Sequence, residues 1–443
     1  MGRFEKWTAG LPRLAVLMAL ANQALVSGMT FLIGIGVARY MGLAEFGKMA
    51  MVLILQMFAQ SLQGCFVVAP MMALSGRRAN RSSSYFAGVL AFTIGLCVIA
   101  GLGVTVMVLG IHYLRDGGLP VALALAAGAF TATQNLVYVV RRMLFARQAS
   151  TQATLMDAGR YGLFVAAMVY LWSTGARLDV VVTLLALAAT GLLALVPALL
   201  NIRGARLPRR LLRTVWGRHW PFAQWLALML LLIFGQEQAI ALGLGATLGD
   251  EAIGGLRAGQ YLIGTTHFIW VALENFVPTS AARAHANGGI PALTALLQRT
   301  TLLFGALVWG VILLVSLPAE LSLRLAFGPG YEHFAPILRI YALIYAIAFS
   351  REVWVFFFYA TERTAVIFRA FSAGFVVAAI VFVPAIQNFG ILGAALTVLA
   401  ANVTSTAYVL ASVWLVTRSA RREADTSRAA PVGARLGSAV DSA

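Results

Sequence analysis

The sequence predicts an all-α polytopic membrane protein. About twelve transmembrane helices are expected in two six-helix lobes, with both termini in the cytoplasm. Three observations carry this expectation: an extreme apolar composition, apolar runs of membrane-spanning length, and arginines that fall in alternate connections. Hydrophobic residues make up 60% of the 443 and charged residues 11%, and mean hydropathy is +0.85. A soluble domain carries about 25% charged residues, so a water-soluble globule is excluded. The net charge of +17 does not point to nucleic acid, because the arginines sit between apolar runs rather than on one basic face. A basic cytoplasmic face suits anionic phospholipid headgroups instead. Cys65 and Cys97 both lie inside apolar runs and read as small buried hydrophobes. Neither they nor the five histidines show metal-ligand spacing.

A spanning helix needs about 20 mostly apolar residues. Such runs fall in order at approximately 11–39, 48–75, 84–114, 119–145, 153–174, 179–202, 221–246, 253–280, 293–317, 334–358, 364–386 and 390–417. The first is too long for a signal-peptide core and is expected to stay as a helix. With the N-terminus inside, the cytoplasmic segments hold 24 Lys and Arg and the other side holds six, Arg39, Lys48, Arg115, Arg177, Arg257 and Arg324. This is a strong positive-inside asymmetry, and an even number of helices returns the C-terminus to the same side. The longest basic link, "NIRGARLPRRLLRTVWGRHWP", divides the chain. The expected organisation is an N-terminal lobe over 1–202, a basic linker over 203–220, a C-terminal lobe over 221–417 and a disordered tail over 418–443.

The turn after the first helix, "MGLAEFGKMA", places Gly42, Gly47 and Lys48 on G-x-x-x-x-G-K. A phosphate-binding loop follows a strand and ends in Ser or Thr for magnesium. Here a membrane helix precedes it, and Met49 takes the Ser/Thr position. The second half carries a related stretch without the lysine, "TLGDEAIGG", in which Gly249 and Gly254 match Gly42 and Gly47. Pro70 and Pro278 follow the second glycine of each pair by 23 and 24 residues. The glycines therefore read as turn residues of two related helix hairpins, in a parallel six-plus-six duplication about an axis along the membrane normal.

"FLIGIGVARYMGLAEFGKMAMV" resembles the opening hairpin of the polysaccharide-type lipid-linked oligosaccharide flippases, members of the multidrug/oligosaccharidyl-lipid/polysaccharide (MOP) exporter superfamily. Ala38, Arg39, Gly42, Glu45, Phe46 and Gly47 carry the likeness. "IALGLGATLGDEAIGGLRAGQYL" resembles that family's seventh-to-eighth hairpin, and "LAFGPGYEHFAPILRIYALIYA" its approach to helix ten. The family's usual Gly-x-Tyr at the start of helix eight is degraded, since Leu256 follows Gly254 and Gly255. The resemblance implies a MOP-like fold in a bacterial inner membrane. It implies transport of a polyprenyl-pyrophosphate-linked oligosaccharide to the periplasmic leaflet by alternating access, without ATP or any cofactor. A polysaccharide polymerase and export machinery are the partners it implies.

Ionisable groups in membrane helices cost about 2.5–3.5 kcal/mol on insertion scales, so they face a cavity or a partner. Arg39 closes helix one, and on helix two Gln56, Gln60 and Gln63 share a face. Helix four carries Thr131, Gln134 and Tyr138 and ends at Arg141 and Arg142. Polar stripes of this kind either glue helices together or line a sugar-filled lumen. The two arginines either set topology or meet a pyrophosphate. On helix five, Asp157 and Arg160 are three apart and suited to pair. Glu237 lies mid-helix in "FGQEQAIA" and is the leading ion-coupling candidate, with Glu274 before Pro278 and Glu352 as the others. On helix ten, Tyr341, Tyr345 and Glu352 share a face, and Arg351 stands beside Glu352. Tyrosines and arginine suit sugar and pyrophosphate, and equally suit an interfacial belt with a local ion pair. Arg339 points away from Tyr341 near the outer end and reads as a snorkelling residue.

Two other function classes compete. A cation-coupled multidrug antiporter of the same superfamily would rest on carboxylates such as Glu237. A membrane glycosyltransferase or polymerase would need convergent acid–base groups on the outer side. The first outer loop, about 41–47, holds only Glu45, and no Ser–His–Asp set can be placed there.

Overall fold

A computed structural model describes residues 13–71, 83–147, 149–200 and 209–429. Among the described residues the chain is helical, with no strand. Helix satisfies every backbone group within its own segment, which a bilayer without water demands of these apolar runs. In chain order the helices are α1 (Arg13–Met41), α2 (Leu43–Gln63), α3 (Ser83–Asp116), α4 (Val121–Ala146), α5 (Ser150–Ser173) and α6 (Val180–Leu200). Then follow α7 (Arg209–Leu248), α8 (Asp250–Ile263), α9 (His267–Ser316), α10 (Ala319–Phe327), α11 (Ala335–Ala360) and α12 (Thr364–Ala429). Among the described residues, eight helices are long and apolar enough to cross a membrane, and Leu25–Met41 is a shorter apolar stretch.

The apolar stretch Thr364–Ala420 of α12 has 57 residues. As straight helix that is about 85 Å, against about 30 Å of bilayer core. Gly390, at φ 55 and ψ −129, breaks it. The break separates what the sequence presents as two runs, 364–386 and 390–417. A similar break at Gly288 and Gly289 divides α9. The helix continues past Arg418 to Ala429, and residues 430–443 of the expected tail lie outside the described residues. Of the basic linker, 203–208 lie outside them too, while Arg209–Trp220 form the first turns of α7.

The chain divides into two compact units, Met1–Ala258 with Arg324–Tyr331, and Gly259–Leu323 with Glu332–Ala443. In the first unit, α3 and α4 approach closely. A side chain on Gly128 would strike Thr105 Oγ1 and the Gly101 carbonyl, and one on Gly101 would strike the Gly128 carbonyl. Small residues at such crossings let membrane helices gain van der Waals contact. Val137, Val140 and Leu144 of α4 pack with Ala153 and Met156 of α5 and Leu195 of α6. A π-turn at Gly64–Val68 ends α2. Its Val67 and Val68 pack with Tyr85, Phe86 and Val89 of α3 and with Val215 of α7.

His219 completes this docking of the first turns of α7. Its Nδ1 lies 2.9 Å from the Phe66 carbonyl and its Nε2 3.1 Å from the Tyr85 hydroxyl. In the neutral tautomer Nδ1–H donates to Phe66 and Nε2 accepts from Tyr85. Burial pushes the His219 pKa below 6.5, against the opposing pull of the Phe66 carbonyl.

In the second unit, α9 and α12 pack on α11. The Trp309 indole donates to the Ala346 carbonyl at 3.4 Å, and Trp270 meets Phe349 edge-on. Gly259 lies against Ile337 and Leu338 so tightly that a side chain there would clash with both.

Candidate functional site

Three groups of polar side chains stand out, each inside one unit. The first lies among α2, α4 and α5. Gln56 donates to Gln60 at 3.0 Å and reaches Asn135 Oδ1 at 3.4 Å. Gln63 donates to Cys97 Sγ at 3.2 Å. Gln56, Gln63, Thr131 and Asn135 are all buried, and Gln56 links α2 to Asn135 of α4. Gln60 and Gln134 are half-buried. Cys97 is buried, as its apolar run implies, and Cys65 is half-buried.

The expected pairing of Asp157 with Arg160 is replaced by two other pairs. Arg141 Nη1 lies 3.5 Å from Asp157 Oδ2. Arg160 donates to Gln134 and lies over the Tyr161 ring at 5.1 Å. Asp157 and Arg160 share a helix face, but α4 presents Gln134 and Arg141 to that face. Two interhelical partners then displace one intrahelical contact. Arg160 is buried; its Nε faces Gly191, and among the described residues no hydrogen-bond partner takes that proton. Tyr138 carries the guanidinium of Arg142 over its ring at 5.5 Å and that of Arg141 at 6.0 Å. Its hydroxyl lies beside Gly64, where a side chain would come within 3.6 Å of it. Arg141 alone pairs with the Asp157 carboxylate, while Arg142 is exposed beside Tyr138 and Arg160 is held by Gln134. The group carries an excess of positive charge and can attract an anion.

The second group is on α11 and α12. Arg351, 4% exposed, donates from Nε and Nη2 to Glu352 at 3.1 and 3.0 Å and from Nη1 to Asn402 Oδ1 at 2.9 Å. Its guanidinium lies 4.8 Å from the centre of the Phe371 ring. Glu352 therefore stands opposite a compensating charge. Tyr341 is buried and Tyr345 half-buried, and a side chain on Gly264 would come within 3.8 Å of the Tyr345 hydroxyl. Arg339 makes an exposed pair with Glu320 at 2.9 Å, as a snorkelling residue should. Glu237 is half-buried on α7, while its neighbour Gln238 accepts from Arg257. Glu274 is on α9, and its side chain lies outside the described residues.

The third group gathers at the arginine-poor end of the first unit. Arg39 is exposed and donates to the Leu325 carbonyl at 3.1 Å, closing the last turn of α10. Tyr331 donates to the Ala38 carbonyl at 3.1 Å. Asp250, at the start of α8, receives Arg115 at 2.9 and 3.4 Å, and His112 Nε2 stands 3.5 Å from the same carboxylate. Glu45 takes Lys48 at 2.6 Å and the Val180 backbone N–H at 3.0 Å, which caps α6.

Sequence reasoning did not find Asn135, Asn402, Asp250, Arg115 or His112. Neutral asparagines within apolar runs give no periodic signal strong enough to separate them from their neighbours. Asp250 had a usable one, since it directly follows Gly249, the counterpart of Gly42. Among the described residues no group of three or more His, Cys, Asp or Glu could hold a metal ion.

This fold is that of the MOP superfamily transporters. The lipid II flippase MurJ, in an inward closed conformation, superposes with a TM-score of 0.67 at 13% identity, over 91% of this chain and 87% of that one. An inward-facing multidrug resistance MATE family transporter gives a TM-score of 0.65 at 12% identity, over 92% and 99%. A eukaryotic MATE transporter gives 0.59 at 12% identity, over 90% and 94%. No family model and no curated protein sequence matches the chain. These solved neighbours are transporters, and the chain is a multi-pass membrane protein of their fold.

Proposed function

We propose that this protein flips a polyprenyl-pyrophosphate-linked oligosaccharide, an exopolysaccharide or O-antigen repeat unit, from the cytoplasmic to the periplasmic leaflet of a bacterial inner membrane. Alternating access between the lobes 1–202 and 221–417 drives it, without ATP. One observation carries the reading. Arg141, Arg142 and Arg160 outnumber Asp157 in the first unit, with Tyr138 holding two of the guanidiniums over its ring. A pyrophosphate needs paired guanidiniums, and an aromatic ring suits sugar. Cationic drugs would be repelled by the same group. A lipid II flippase among the structural neighbours supports a lipid-linked substrate. The arginine asymmetry supports placing both termini inside, and a polysaccharide polymerase and export machinery would take up the flipped product. The basic face would also hold anionic phospholipids.

The second reading is a cation-coupled multidrug antiporter, favoured by the half-buried Glu237 and by the MATE-type neighbours. The deciding assay uses a strain with the gene deleted. An impermeant probe reads sugar exposed on the outer leaflet of spheroplasts. Build-up of lipid-linked oligosaccharide on the inner leaflet, reversed by the wild-type gene, supports the flippase. An unchanged distribution with altered sensitivity to small cationic drugs replaces it with the antiporter.

A further inference from the structure

One offset of 207 residues separates Gly42 from Gly249, Leu43 from Asp250, and Gly47 from Gly254. Gly42 and Gly249 share a positive φ, at 90 and 91. A side chain here would be strained. The two hairpin ends then meet reciprocally within the first unit. A Cβ on Gly47 would fall 1.7 Å from the Asp250 carbonyl oxygen, and a Cβ on Gly254 would fall 2.7 Å from that of Leu43. Each related glycine thus receives the carbonyl of the other hairpin's first helical residue. A self-complementary contact of this kind is what a two-fold axis between related segments produces. The backbones approach closely, with the Leu43 side chain also against Gly254, through contacts that are individually weak and require close approach.

Asp250 takes part twice. Its carbonyl covers Gly47, while its carboxylate is gripped in bidentate fashion by Arg115, with His112 alongside. His112 Nδ1 faces the Val108 carbonyl at 3.0 Å, which turns Nε2 toward Asp250. The carboxylate clamp fixes the start of α8 and with it the carbonyl over Gly47.

We infer that Gly47 and Gly254 form a separable backbone seal at the arginine-poor end, and that Asp250, clamped by Arg115, is the positioning residue that keeps it shut. That the seal parts during turnover rests on the transport reading above. That it closes this end in the resting protein does not.

The test reads closure without substrate. In full-length protein with Cys65 and Cys97 changed to alanine, a single Ala50→Cys reports from one turn below Gly47, where Ala50 is 6% exposed. An impermeant maleimide is applied to right-side-out and inverted vesicles in parallel. Labelling from the arginine-poor side should rise about tenfold with Gly47→Ala and with Asp250→Asn, the change expected of a modest population shift. Arg115→Lys, which keeps one charge contact, should give a smaller rise. Gly36→Ala, with open space around it, should leave labelling at the starting level. If Gly47→Ala does not fold, Asp250→Asn and Arg115→Lys decide alone, since neither crowds the contact. Unchanged labelling in folded Asp250→Asn overturns the seal. Increased labelling together with a failed flipping assay keeps the seal and discards the substrate assignment.

Discussion

Arg351 shows what a single residue costs and returns in this fold. It is buried, and three of its hydrogen bonds go to Glu352 and Asn402. Removing one partner of a buried ion pair leaves an uncompensated charge, at a cost of about 3–5 kcal/mol. Arg351→Ala should therefore lower the melting temperature of the purified protein sharply. Arg339→Ala removes an exposed pair with Glu320, worth about 0–1 kcal/mol, and should leave melting nearly unchanged. Equal melting of the two variants would show that the Arg351 group is not a stabilising unit. The contrast also explains why adjacent-looking arginines on one helix read so differently. Arg339 can reach water along its stem, whereas Arg351 must find its partners inside the protein.

At the scale of elements, the first turns of α7 are held by a histidine. His219 is neutral and satisfied on both ring nitrogens, and burial holds its folded pKa below the ordinary 6.5. The unfolded chain therefore binds the proton more readily. The docking contribution is fully present above about pH 6.5 and is lost as pH falls from there through the lower folded pKa. Between about pH 8 and about pH 5, wild-type protein should lose more thermal stability than His219→Gln, whose side chain does not titrate over that range. Parallel pH profiles would remove His219 from this role. The rest of the docking surface is apolar, with Val215 in the cluster that includes Tyr85 and Phe86. Trp216 and Trp220 stack near Phe66 and remain partly exposed, as aromatic residues at a membrane interface are.

At the scale of the molecule, the proposed transport cycle needs a coupling group, and Glu237 is the leading carboxylate. Glu352, which stands beside Arg351, is another. Glu237→Gln should preserve folding and membrane insertion and lower flipping in the spheroplast assay. Wild-type flipping in that variant would remove Glu237 from coupling. The breaks at Gly288–Gly289 and Gly390 show how long apolar tracts become separate helical segments. At both breaks a glycine takes a left-handed backbone that other residues rarely adopt.

The membrane class, the helical runs and the two glycine turns were legible in the chain itself, because each is a one-dimensional signal. Run length answers to bilayer thickness, and a glycine to a positive φ. The polar residues were legible as a set but not as pairs. Asp157 and Arg160 share a face on one helix, yet Arg141 and Gln134 of α4 claim them. Gln56 and Asn135 are 79 residues apart, Arg351 and Asn402 are 51 apart, and Arg115 and Asp250 are 135 apart. Such partners depend on which helix faces which, and at what height, and that is set by packing of the whole unit. The sequence by itself determined that this chain is a multi-pass membrane protein built of helices, and that two of them turn at Gly42 and Gly249. Only the tertiary structure decided which buried charge meets which partner, because burying a charge is tolerable only where another helix brings its complement.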